Sequence, residues 1–166
     1  FGPAAVREDS YGIETYCPQL NLDLENIKFA DVGSLDVPFG NAKLTIDYVE
    51  DATAVLLNNN LKPLIIGGEH SITSGIIKSV IKNYPELLII QLDAHADLRD
   101  EWLGSKFSHA CTMKRCLEVL PSKKIFQVGI RSGTKSEFIE MNKTKRLIQH
   151  TLGENAKYLE EALKSF

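Results

Sequence analysis

Two apolar runs on either side of one helical segment constrain this chain more than any other feature. Residues 63–71 read Pro-Leu-Ile-Ile-Gly-Gly-Glu-His-Ser and end in a glycine turn and a histidine; residues 87–97 read Leu-Leu-Ile-Ile-Gln-Leu-Asp-Ala-His-Ala-Asp. Between them, Ile72, Ile76, Ile77, Val80 and Ile81 recur at helical spacing over 71–83, with Ser71 as the expected N-cap and Lys78 and Lys82 on the outer face. Strand, helix, strand is a βαβ unit, and its crossover makes the two strands parallel. Their carboxyl ends, carrying His70 and Asp93, His95 and Asp97, then share the sheet edge at which open α/β sheets bind ligands.

The second run ends in a pattern suited to a divalent metal. Extended backbone sends every second side chain to the same side, so Asp93, His95 and Asp97 are expected to converge with small Ala94 and Ala96 between them. Carboxylates gathered in this way repel one another unless something cationic sits among them. A polar cap on a strand end is the plainer alternative for each residue taken singly, and for His70 a satisfied structural histidine.

The remaining elements continue the alternation. Residues 27–33 are expected to form a strand, 46–60 a helix that stops at Asn58-Asn59-Asn60, and 64–66 a strand. A polar loop runs from Leu98 to Ser108, a helix follows around 110–119, and a strand at 124–130. Residues 135–150 and 154–165 read as two helices or a broken one, which leaves no clear strand after Ile130. Lys143, Lys145, Arg146 and His150 are read as a solvated helix face.

Composition narrows the function classes. With 166 residues, 43% hydrophobic and 25% charged, the chain has the length and apolar content of one globular domain or part of one. Nineteen basic residues against 22 acidic ones give a net charge of -3, so nucleic acid and anionic lipid are not expected partners. No apolar run reaches membrane-spanning length, the amino end lacks a signal-peptide layout, and a cytoplasmic setting is expected. Cys17, Cys111 and Cys116 lack paired CxxC spacing and are expected to be reduced, buried thiols rather than a zinc site. There is no nucleophile elbow, P-loop or dinucleotide fingerprint.

Gly67-Gly68-Glu69-His70-Ser71-Ile72-Thr73, Asp93-Ala94-His95-Ala96-Asp97-Leu98-Arg99-Asp100-Glu101, Ser108-His109-Ala110 and Gly129-Ile130-Arg131-Ser132 together resemble the ureohydrolases, the arginase and agmatinase family. Order and spacing match along nearly the whole chain, and Gly2-Pro3 with Arg7 resembles the end of that family's amino-terminal Gly-Pro-x-x-Ile-Arg element. Within the family the loop Leu98-Arg99-Asp100-Glu101 is most similar to that of bacterial agmatinases and departs from the Asp-Ile-Asn type of the arginases. The resemblance implies a three-layer α/β/α fold with a mainly parallel sheet. It also implies hydrolysis of agmatine to putrescine and urea, a step of polyamine biosynthesis, on two Mn²⁺ ions. Arginine and guanidinobutyrate are the neighbouring substrates.

The resemblance further implies roles. His70 would bind one metal, His95 the other, Asp93 would bridge both and Asp97 would complete the first. Such a pair lowers the pKa of a bridging water from about 15.7 to near 7, and carboxylates with imidazole suit Mn²⁺. His109 resembles the family's proton-handling histidine and would act as a general acid; a locally bonded histidine at a helix start is the alternative. Glu69 would orient a ligand or simply hold its turn. Arg99, Asp100 and Glu101 would shape the substrate entrance, where an acid suits a cationic amine, or form a solvated loop. By family analogy the protein is expected to be a homo-oligomer, a trimer or hexamer.

Two elements of the family pattern are not found in these residues: an Asp-x-Asp pair on a later strand with a further substrate-binding glutamate, and the family's first strand. The expectation is therefore that residues 1–166 form a single ureohydrolase-like domain without the carboxyl-terminal metal-ligand and substrate-binding portion. A non-catalytic fragment with a partial metal site is the alternative to a binuclear amidinohydrolase.

Overall fold

The computed structural model describes residues 2–120, 125–143 and 160. They fall into two compact units: residues 1–36 with 64–68, and residues 37–63 with 69–166. The expected helical sequence beyond Lys143, including His150, lies outside the described residues apart from residue 160.

The first unit contains helix α1 (Gly2–Asp9), then a short antiparallel pair, β1 (Tyr16–Cys17) with β2 (Leu22–Asp23), and two single 3-10 turns. The strand expected over 27–33 does not form. Asp31 is the reason: its carboxylate accepts from the Gly33 amide at 2.8 Å, and Arg7 clamps both of its oxygens through Nε at 2.5 Å and Nη2 at 3.1 Å. A carboxylate bonded to the amide two residues on turns the chain instead of extending it. The same contacts, the Arg7 bond foremost, hold the Asp31 carboxyl down at about 2.

The strand expected at 64–66 is also absent. A strand exists only where a second backbone completes its ladder, and among the described residues none pairs with Leu64, Ile65 or Ile66.

The second unit carries helices α2 (Ala42–Asn58) and α3 (Ile72–Asn83), strand β3 (Ile89–Leu92), helix α4 (Thr112–Val119), strand β4 (Ile125–Val128) and helix α5 (Lys135–Lys143). Helix α2 begins before the expected Ile46 because the Asn41 side chain accepts from the Leu44 amide at 3.0 Å, an N-cap the apolar spacing did not reveal. It stops in the asparagine run, where Asn60 takes a left-handed φ of 58°. Ser71 does occupy the N-cap position of α3, yet its hydroxyl makes no cap bond and instead donates to Glu69.

Strands β3 and β4 pair in parallel, with Ile89 opposite Ile125 and Gln91 opposite Gln127. The parallel unit expected across 64–93 is thus realised one step later, as β3, α4, β4. Around this pair Ile89, Leu98, Met113, Cys116, Ile125 and Ile130 form the buried core, joined by Met141 of α5 and by Ile77 and Ile81 of α3. Cys111 and Cys116 are buried free thiols, as expected, and Cys17 is partly exposed.

Helices α2 and α3 pack at close range, with Ile46, Val49 and Thr53 of α2 buried. A β-carbon on Gly75 would stand 2.4 Å from the Ile46 carbonyl oxygen, so only glycine fits that crossing. Lys82 and Glu50 tie the same pair at 2.7 Å on the outside.

Two outcomes follow from this packing. Gly75→Ala adds about 1 kcal/mol of helix propensity but forces the helices apart at a cost of about 1–3 kcal/mol. The net effect should be a lower Tm on thermal unfolding, and an equal or higher Tm would contradict the close crossing. Burial pushes the Cys116 thiol up to about 12. The folded state therefore keeps a proton that the unfolded chain releases from about pH 8.5, and folding loses ground as pH climbs from there toward the folded value. A thiol reagent at about pH 8 should spare native Cys116 and label it once the protein is unfolded; rapid labelling of the native protein would contradict this burial.

Candidate metal centre

Hydrogen bonding between the β3 and β4 segments continues past the strands. The Asp93 amide donates to the Val128 carbonyl at 3.1 Å, the Arg131 and Ser132 amides donate to the Ala94 carbonyl at 2.9 and 3.0 Å, and the Ala96 amide returns to Ser132 at 3.1 Å. Gly129 makes this possible: it has φ +87°, and a β-carbon there would lie 3.1 Å from the Asp93 carbonyl oxygen.

Asp97 then turns the chain. It is a non-glycine residue at φ 53°, a conformation that persists only when its surroundings over-determine it. They do so from both sides of the residue. Its carbonyl accepts from the Met113 and Lys114 amides at 2.9 and 3.2 Å, capping the first turn of α4, and the next amide, Leu98, donates to buried Glu137 Oε1 at 2.9 Å.

The acids consequently meet for a different reason from the one their alternation suggested. Strand β3 ends at Leu92, and the extended path does not continue through to Asp97. Asp93 and Asp97 converge because the chain turns and because one amide spans them: Gln91 Nε2 lies 3.1 Å from Asp93 Oδ2 and 3.2 Å from Asp97 Oδ2.

His70, in the turn before α3, completes the group. Its Nδ1 is 3.0 Å from Asp97 Oδ2, and one donor atom from each of His70, Asp93 and Asp97 lies within 4.8 Å of the others. The Asp97 bond, opposed by partial burial, raises the His70 pKa above its ordinary value. Burial pushes the Asp93 carboxyl up, but the bonds it accepts from the His95 amide and Gln91 outweigh this and leave it below the ordinary carboxylate value. One imidazole and two carboxylates, with no thiolate, make a donor set suited to a hard divalent cation.

His95 stands outside that three-residue group. Its amide donates to Asp93 Oδ1 at 2.9 Å, but its imidazole Nδ1 is 3.6 Å from the same oxygen and its side chain is 66% exposed. It faces a cleft of about 180 Å³ that is also lined by Asp97, Arg99, Trp102, His109 and Glu137. His109 Nδ1 lies 3.5 Å from Glu69 Oε1, while Glu69 Oε2 accepts from the Ser71 amide at 2.6 Å. Glu69 thus both holds its turn and faces His109.

The predicted entrance residues separate. Arg99 lies 3.9 Å over the Trp102 ring and 3.8 Å from Glu137 Oε2, at the cleft. Asp100 is engaged by Arg115 Nη2 at 2.6 Å and Lys106 at 3.6 Å, and the Arg115 bond holds its carboxyl below the ordinary value. Glu101 is exposed. Gln91, Gln127, Trp102 and Glu137 were not among the predicted residues. A glutamine inside each of the apolar runs Leu-Leu-Ile-Ile-Gln-Leu and Ile-Phe-Gln-Val was the available signal for the first two.

The arginase-family model matches residues 1–166. The agmatinase of Bacillus cereus is 41% identical over 138 residues, which are 83% of this chain and 48% of that protein. An N(1)-aminopropylagmatine ureohydrolase of Thermococcus kodakarensis is 35% identical over 139 residues, covering 82% of this chain and 46% of that protein. The crystal structure of the agmatine ureohydrolase of Thermoplasma volcanium matches with a TM-score of 0.82 at 29% identity, over 98% of this chain and 55% of that one. The chain spans about half the length of the curated relatives it matches. In that span it has the α/β fold of these hydrolases, with the parallel pair and helices described above. With the family model running through both acid-bearing segments from end to end, this chain belongs to the arginase family.

Proposed function

We propose that this chain supplies ligands and a proton donor to a binuclear manganese amidinohydrolase that converts agmatine to putrescine and urea. The observation that carries the reading is the grouping of His70, Asp93 and Asp97, donors that suit Mn²⁺, beside a cleft that also holds two further histidines. The agmatinase and aminopropylagmatine ureohydrolase among the relatives support a guanidino substrate with a cationic tail.

In this reading His70, Asp93, His95 and Asp97 would hold the metals. Bound metal supplies a water of lowered pKa and Lewis acidity toward the guanidinium. The chain's own residues do the rest. His109, on the cleft wall and faced by Glu69, donates a proton to the departing amine nitrogen. Arg99, stacked on Trp102, shapes the cleft, and Glu101 offers a carboxylate to a cationic tail. Asp100, already paired with Arg115, acts on the loop's shape rather than on the substrate. A cytoplasmic homo-oligomer belongs to the same proposal; among the described residues no helix is long and apolar enough to cross a membrane.

Urea release by the complete, manganese-loaded protein tests this. Agmatine should be hydrolysed in clear preference to arginine, and equal rates on both would overturn the agmatinase assignment. Asp93→Asn should abolish urea release and lower manganese content. His109→Asn should lower kcat by about 10²–10⁴ while manganese content stays unchanged; an unaltered kcat would remove His109 from the chemistry. Manganese uptake with no urea from either substrate would favour a non-catalytic metal-binding module.

A further inference from the structure

Beneath the three donors lies a buried pair of amides that the chemistry above does not use. Gln91 is 7% exposed and Gln127 fully buried, in strands whose other inward positions are apolar, and the register sets the two opposite one another. Two facing amides there are no requirement of folding, since apolar residues of the same shape can do as well or better. Among the described residues nothing bonds to Gln127 Oε1, so the pair carries an uncompensated buried acceptor as well. Polar groups retained at that cost call for another reason.

Their hydrogen bonds run in one direction. The Ala96 carbonyl can only accept, and Gln127 Nε2 lies 2.7 Å from it, which fixes which end of the Gln127 amide faces that way. The same nitrogen bonds to Gln91 Oε1, using its second hydrogen. Gln91 must then turn Nε2 away from Gln127, toward Asp93 Oδ2, Asp97 Oδ2 and, at 3.4 Å, the His95 carbonyl. Ionised carboxylates are acceptors only, so the orientation dictated from the Ala96 end is the one the acids require. A flipped Gln91 would aim its carbonyl oxygen at two anions.

We propose that Gln127 and Gln91 form a positioning relay that sets the two aspartates as metal ligands: Gln127 orients Gln91, and Gln91 holds Asp93 and Asp97 in the geometry that takes up the ion. Neither glutamine touches substrate. The inference rests on the metal reading above and adds to it two residues that act through the ligands. Partners that orient ligands are worth about 10–100-fold in metal affinity, which sets the scale of the effect.

The test uses the complete protein with Gln91→Met, Gln127→Met and the double variant, methionine matching the length of glutamine without its donors. Manganese chloride is titrated in while free Mn²⁺ is followed by electron paramagnetic resonance, and the Tm of the metal-free protein is measured in parallel. Gln91→Met should weaken manganese binding about 10–100-fold. Gln127→Met should weaken it less, because Gln91 remains but is no longer oriented. In the double variant the metal-free Tm should rise toward that of the wild type, both partners now being apolar, while the affinity stays as poor as in Gln91→Met. Affinity that recovers together with Tm, or losses that multiply independently, would overturn the relay and leave the pair a packing feature. Unchanged affinity in both single variants would overturn it too. Wild-type protein that takes up no manganese would overturn the metal reading itself, an outcome told apart from the others before any variant is compared.

Discussion

The site depends on the parallel register of β3 against β4. That register puts Gln91 opposite Gln127, carries the Asp93 amide to the Val128 carbonyl, and brings Ala94 and Ala96 alongside Arg131 and Ser132. A slip of one residue would turn every side chain of β3 to the other face of the sheet. Gln91 would then turn away from Gln127, and Ile90, now 40% exposed, would take its place in the interior. Packing of Ile89 and Ile125 against Met113 and Cys116 makes such a slip costly, so the apolar core and the polar site are specified by the same pairing.

Asp97 shows how that frame is used. A left-handed aspartate costs about 1–3 kcal/mol, and here two neighbouring elements offset it. Helix α4 needs an acceptor for its first amides and finds the Asp97 carbonyl; Glu137, at the start of α5, receives the Leu98 amide and also the Thr134 amide at 2.6 Å. One turn in the backbone therefore caps a helix, anchors a second one and aims a carboxylate at His70. The strain and its compensation sit at the candidate metal ligands, where a fixed donor geometry has most value.

Part of the candidate site was legible in the chain. The Gly-Gly-Glu-His-Ser and Asp-Ala-His-Ala-Asp segments pointed to His70, Asp93 and Asp97, and the structure brings those three together. Helices α3 and α4 and strands β3 and β4 fell where apolar spacing put them, because long periodic segments carry their own signal. The runs at 27–33 and 64–66 form no strand for a physical reason. An apolar run looks the same whether or not another backbone lies beside it, and a strand is made by that neighbour. At Asp31 a side chain bonded to its own backbone decided the matter, a local competition that hydrophobic pattern does not register.

By itself the sequence determined the donor types, their order at the end of an apolar strand, and a parallel α/β arrangement around them. These are properties of neighbours along the chain, set by side-chain chemistry and by the periods of helix and strand. Only the tertiary structure decided which donors meet. His95 alternates with the aspartates in sequence yet turns its imidazole to the cleft, while His70, from a distant turn, reaches Asp97 at 3.0 Å. Past the last residue of β3 the direction of each side chain is set by bonds from α4, Glu137 and Gln91, and from Gln127 across the sheet. Those partners come together only once β3, α4, β4 and α5 have packed, and no spacing within residues 93–97 encodes them.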